Sequence, residues 1–208
     1  MSIHKWPFLS KINDYIAPCI YAYPRVICIQ AEFLPDFSYK INWDNRSKMK
    51  IKIYTVGGTI DKIYFDKKST YEVGEPRIGE VLNEAHVNLE FEISSILYKD
   101  SLDMTDDDRQ KVYDTVKADK NLYIVITHGT DTMIETALKL KSIPDKVMVL
   151  TGSMEPARFK SSDAAFNIGC AVTAVQIAKP GVYIVMNGRV FEADKVRKNL
   201  DKNWFEEK

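Results

Sequence analysis

The feature that most constrains this chain is an alternation of short apolar runs with segments of helical spacing. Leu122–Ile126, Lys146–Leu150 and Val182–Met186 are apolar or nearly so, and uninterrupted runs of this length predict strands buried on both faces. Lys50-Ile51-Lys52-Ile53-Tyr54 and Leu89–Ile96 alternate polar with apolar residues, a strand signal. Between them, helices are expected over Arg77–Glu84, from Thr105 onward, over about 132–141 and from Ser162 or Asp163 to about Ala178. Thr105 is a hydroxyl cap followed by Asp106-Asp107-Asp108, acids that suit the positive end of a helix dipole. That helix puts Val112, Tyr113 and Val116 on one face. Lys179-Pro180-Gly181 stops the last helix. Residues 61–75 read as an irregular, mostly polar loop. Strands alternating with helices predict an α/β fold, a three-layer sandwich around a mainly parallel sheet.

Three of the strands run directly into turns rich in glycine and hydroxyls. These are Thr55-Val56-Gly57-Gly58-Thr59, Thr127-His128-Gly129-Thr130-Asp131-Thr132 and Thr151-Gly152-Ser153. In open parallel sheets, ligands bind at the carboxyl ends of strands, so the three turns are expected to converge on one crevice. Glycine lets backbone N–H groups approach a ligand, and hydroxyls supply hydrogen bonds or a nucleophile. Each turn alone is weak, because glycine and threonine are common turn residues. His128 alone reads as a hydrogen-bonded structural histidine. Neither GxGxxG nor GxxxxGK[ST] occurs, which gives a nucleotide site little support.

Composition narrows the rest. The 208 residues carry 29 basic and 29 acidic side chains, and this balance points to neither nucleic acid nor an anionic membrane. Cys19, Cys28 and Cys170 show no CxxC spacing and no paired histidines, so no metal site is expected. Cys170, in a small apolar run, reads as a buried core thiol. The apolar stretch from Ile12 to Leu34 is broken by Pro18, Pro24, Arg25 and Glu32 and lacks a signal-peptide cleavage site, so no membrane span is expected. Together with the scattered cysteines this predicts a cytoplasmic protein. Pattern changes at Met49. Residues 1–48 are expected to be an N-terminal extension, with Met49 an alternative true start, and 49–208 the working domain.

Taken together, the motifs resemble the bacterial-type L-asparaginases, in the right order, from about Lys50 to the C-terminus. Thr55–Ile60 is similar to the family's first signature and Ile126–Ala137 to its second. Ser69–Gly74 resembles the mobile loop bearing the active-site tyrosine, and Asp100–Met104 the loop bearing a substrate-binding serine. Val185-Met186-Asn187 with Val196-Arg197-Lys198 resembles the stretch supplying the catalytic lysine. The resemblance implies an asparaginase N-terminal-domain-like fold and cofactor-free hydrolysis of a small amide substrate, asparagine, glutamine or a relative. It implies Thr59 as nucleophile, with Tyr71, Thr130, Asp131 and Lys198 as further catalytic residues. Ser101, Thr130 and Asp131 are then the substrate-binding residues, Ser101 toward the α-carboxylate and Asp131 toward the α-ammonium. Lys198 is either a neutral base toward the Thr130 hydroxyl or a cation held by Asp131.

Two departures accompany the resemblance. Family members usually continue into a second domain that, in a neighbouring subunit, holds the substrate's α-amino end. Leu102 stands where a polar substrate contact is usual. An open crevice predicts self-association, as a dimer or higher homo-oligomer. A non-catalytic small-molecule binding module derived from the same domain is the alternative, and the presence of Thr59, Asp131 and Lys198 favours the enzyme. An amidotransferase subunit acting on aminoacylated tRNA ranks lower, since residues 1–48 are not basic enough for a tRNA-facing extension.

Overall fold

The computed structural model describes residues 49–65 and 70–208; segment 1–48, expected to be an extension, lies outside them. The elements run β1 (Lys50–Gly57), β2 (Lys62–Phe65), β3 (Thr70–Val73), α1 (Ile78–Glu84), β4 (Glu90–Lys99), α2 (Asp106–Ala118), β5 (Tyr123–Thr127) and α3 (Met133–Leu140). They continue with β6 (Val147–Thr151), α4 (Ala164–Ile177), β7 (Gly181–Met186), β8 (Arg189–Glu192), β9 (Val196–Asn199) and β10 (Trp204–Glu207). The main sheet has the order β4-β1-β5-β6-β7-β8. Its pairs are parallel except β7 with β8.

Strand periodicity assigns side chains to the two faces. Tyr54, Val56, Ile124, Ile126, Met148, Leu150 and Ile184 pack with Val112 and Val116 of α2 and with Met133, Ala137 and Leu140 of α3. The intervening Ile51, Ile53, Val125, Val147, Val149 and Val185 pack with Ile78 and Leu82 of α1 and with Ile168, Ala171 and Val175 of α4. Helices cover both faces and three layers result, as expected for buried parallel strands. Among the described residues no helix is long and apolar enough to cross a membrane.

Helix α2 starts as predicted. Asp108 N donates to Thr105 Oγ1 at 3.2 Å, and the Asp108 carboxylate accepts from Thr105 N at 2.9 Å, which makes a capping box. The start of α4 divides the predicted role between both candidates. Ser162 Oγ accepts from Ala164 N, whereas the Asp163 carboxylate turns to Met154 N and Glu155 N of the loop after β6. Two expectations are corrected. Within the supposed loop at 61–75, β2 and β3 form an antiparallel hairpin that pairs Tyr64 with Tyr71. Cys170 is half-buried, lining an apolar groove of about 540 Å³ with Phe166, Ile177 and Val190.

The strand order also locates the crevice. In chain order, the five parallel strands lie second, first, third, fourth, fifth across the sheet. Successive connections leave β1 in opposite directions, and a cleft opens between the C-terminal ends of β1 and β5. There the two chains touch. Gly58 has φ +94°, and a Cβ on it would sit 2.3 Å from Gly129 Cα. Gly58→Ala is therefore expected to destabilise by several kcal/mol, about 2 or more. Gly169→Ala on the open face of α4, where an added Cβ meets nothing within 4 Å, should instead raise stability by about 0.5–1 kcal/mol. Thermal unfolding of the two variants checks the opposite signs.

Candidate active site

The three strand-end turns do converge. Gly58 abuts Gly129, a Cβ on Gly129 would meet Ser101 Oγ at 2.4 Å, and one on Gly152 would meet the His128 carbonyl at 2.3 Å. His128 N donates to Thr151 O at 2.9 Å, and Thr132 Oγ1 to Ser101 O at 2.8 Å. The turns after β1, β4, β5 and β6 are thus held at backbone contact, a spacing that side chains at these glycines would forbid.

Across this cluster lies Lys198. It sits on β9, where it pairs with Phe205 of β10. Its Nζ donates to Thr130 Oγ1 at 2.8 Å and to Asp131 Oδ1 at 2.6 Å. Val196 and Phe205 anchor the hairpin, at 0% and 2% exposure. A chain of amides sets its position. Asn167 Nδ2 donates to Gly152 O, Asn167 Oδ1 accepts from Asn187 N, and Asn187 Oδ1 accepts from Phe205 N. Asn167 and Asn187 escaped the sequence reading as site residues. Asn167 had a usable signal: an amide near the start of the apolar run of α4 must find partners when buried.

The remaining predicted residues divide. Thr59 opens a short 3-10 turn, Thr59–Asp61, and is half-buried. Ser101 is 1% exposed and its Oγ has no hydrogen-bond partner among the described residues. Thr127 Oγ1, at the end of β5, is in the same condition. Tyr71 is half exposed on β3, its ring 5.4 Å from Tyr64 and 6.4 Å from Phe159. No hydrogen bond between described residues joins it to Thr59. With Leu102, Lys62 and Lys99 it lines an open cavity of about 720 Å³.

Two buried titratable groups flank the turns. His128 is fully buried, its Nδ1 2.8 Å from Gly129 O and its Nε2 2.8 Å from Thr136 Oγ1. A carbonyl only accepts, so Nδ1 carries the proton and Nε2 accepts from the threonine. Burial lowers the imidazole pKa to about 4, which makes His128 the neutral structural histidine expected. Asp61, 1% exposed, has its carboxyl pushed up to about 6 by burial, against the Arg77 N–H that favours the anion. The two act in opposite senses. The raised Asp61 value favours folding fully below about pH 4, and this is lost as pH rises through about 6. The lowered His128 value favours folding above about pH 6.5 and is lost as pH falls through about 4. Asp61→Asn should therefore exceed the parent in stability at pH 8, by on the order of 3 kcal/mol, and lose that advantage near pH 4. Chemical unfolding at both pH values measures it.

Comparison with known proteins places this geometry. The family model described as Asparaginase, N-terminal matches residues 50–204. L-asparaginase 2 of Escherichia coli K12 is 35% identical over 164 residues, covering 71% of this chain and 46% of that protein. The glutaminase-asparaginase of Acinetobacter glutaminasificans is 34% identical over 132 residues, 61% of this chain and 39% of that protein. The solved structure of a probable cytoplasmic L-asparaginase from Campylobacter jejuni superposes with a TM-score of 0.67 at 31% identity, over 77% of this chain and 53% of that one. The chain spans less than half the length of these two curated relatives. With a family model matched over most of its length and a fold and strand-end cluster to suit, the chain belongs to the asparaginase family, over the N-terminal domain of that family.

Proposed function

We propose that this chain is an amidohydrolase that converts a small side-chain carboxamide, L-asparagine or a related amide, to the acid and ammonia through Thr59. The observation that carries the proposal is the Lys198–Thr130–Asp131 unit, seated on a turn that touches the Thr59 turn at Gly58. Thr59 Oγ attacks the carboxamide carbon and the C–N bond breaks. The hydroxyl proton leaves with nitrogen as ammonia is released. Water then cleaves the resulting ester, yielding the carboxylic acid and restoring the threonine. Since Lys198 donates to Thr130 Oγ1, the Thr130 hydroxyl proton is directed elsewhere and is available to substrate or water.

In this scheme Tyr71 takes the Thr59 proton when its hairpin moves the ring from Tyr64 and Phe159 toward the nucleophile, excluding water as it closes. Backbone N–H groups of the strand-end turns, Thr130 included, steady the oxyanion. Ser101 offers its unpaired hydroxyl to the substrate's α-carboxylate and Asp131 meets the α-ammonium. No cofactor takes part. A homo-oligomer, dimer or higher, in the cytoplasm belongs to the same proposal, with 49–208 as the catalytic domain and 1–48 an extension.

Ammonia release from asparagine, glutamine and other primary amides tests it, with the full chain and Thr59→Ala side by side. The variant is expected to lose at least about 100-fold in kcat, and Lys198→Met to fall comparably, because residues acting as a unit fail together. Full activity in Thr59→Ala would remove the nucleophile assignment. Ligand-induced thermal stabilisation without ammonia from any amide would instead favour a binding module.

A further inference from the structure

The Thr59 turn contains a carboxylate that the chemistry above does not use. Asp61 lies two residues past Thr59 and is 1% exposed. Its Oδ1 accepts the backbone N–H of Arg77 at 3.0 Å, at the entrance to α1, while its Oδ2 is buried without a partner among the described residues. The main chain of the same residue is engaged twice. Asp61 N donates to Gly58 O at 3.1 Å, closing the turn around Thr59, and Asp61 O accepts from Gly74 N at 2.8 Å, where the Tyr71 hairpin ends. One residue earlier, Ile60 O accepts from Ala157 N at 3.0 Å, in the loop after β6.

We propose that Asp61 is a positioning residue, which locks the Thr59 turn, the exit of the Tyr71 hairpin and the entrance of α1 into one arrangement. The proposal rests on the use of Thr59 and Tyr71 set out above. A buried carboxylate with one oxygen unpaired is an expensive way to satisfy one N–H. A solvent-facing Ser or Asn beside the helix start would satisfy it at lower cost. What the distant carboxylate adds is a tether spanning sixteen residues, between the segment carrying one reacting group and the segment just past the other. Placement at this precision matters to chemistry, since a displacement of about 1 Å can lower a rate about 100-fold.

The test compares Asp61→Ala, which removes the acceptor, with Asp61→Asn, which keeps an acceptor oxygen and removes the charge. Asp61→Ala is expected to lower kcat about 10- to 100-fold with KM within about threefold, and Asp61→Asn to return kcat to within about threefold of the parent. Hydrogen exchange followed by mass spectrometry supplies a readout independent of amidase activity. In Asp61→Ala, exchange should rise about tenfold or more across 57–64 and 70–77 and stay unchanged in β5 and β6, and Asp61→Asn should restore it. Arg77→Pro deletes the amide donor and should reproduce the effects of Asp61→Ala, while Arg77→Ala, which keeps it, should not. This second pair decides the matter if Asp61→Ala does not fold. The proposal is overturned if exchange in the two segments is unchanged in Asp61→Ala or Arg77→Pro, or if a folded Asp61→Ala keeps parental kcat and merely melts earlier. Should the parent release no ammonia from any amide, the functional reading fails, and the exchange data still decide the tether.

Discussion

Everything at the candidate site depends on one backbone contact, Gly58 against Gly129. The sheet order reverses around β1, so the turns after β1 and β5 emerge side by side. Such a reversal creates a crevice in any doubly wound sheet. Here glycines on both sides let the two turns close to atomic contact, and Thr59 and Thr130 each follow one of the two touching glycines in sequence. Ser101 and His128 then fill the flanks, one against Gly129 and the other beneath Gly152.

Rigidity at this point is supplied from both layers. On the α4 side, Asn167 bridges the β6 turn to Asn187, and Asp163 binds two backbone amides of the same loop. On the α3 side, His128 spans Gly129 and Thr136. Asn167, His128 and Thr136 are buried, so each bond left unmade on them would cost about 1–3 kcal/mol, and all three are partnered. Of the five buried side-chain atoms without a partner among the described residues, three, Ser101 Oγ, Thr127 Oγ1 and Asp61 Oδ2, lie at or beside the strand-end turns; the other two are Nε of Arg77 and Arg109.

Much of this was legible in the sequence because its signals are local. Apolar runs such as Val147–Leu150 announce buried strands, and Thr105 with Asp108 announces a helix start by its capping chemistry. Convergence of the glycine turns followed from the parallel-sheet rule. What escaped was set by distant partners. The β2–β3 hairpin reads as loop because Lys62, Asp66, Lys67 and Lys68 mask its period, and its cross-strand Tyr64–Tyr71 pair shows only once register is known. Lys198 is legible through the family resemblance, but its seat on a hairpin shows only once Phe205 folds back beside it. Asp61 looks like a solvated acid because nothing nearby in sequence discloses its burial.

The β9–β10 hairpin gives the molecule a second, weaker level of order. It is a two-stranded sheet outside the main one, and a lone hairpin is marginal in water. Val196 and Phe205, the Asn187 side-chain amide and the Arg189–Glu207 ion pair dock it. Lys198 therefore rides on a unit hydrogen-bonded outside the six-stranded sheet but packed into its core through Val196 and Phe205. Any opening of this hairpin would part Lys198 from Thr130 and Asp131 without requiring the six-stranded sheet to come apart.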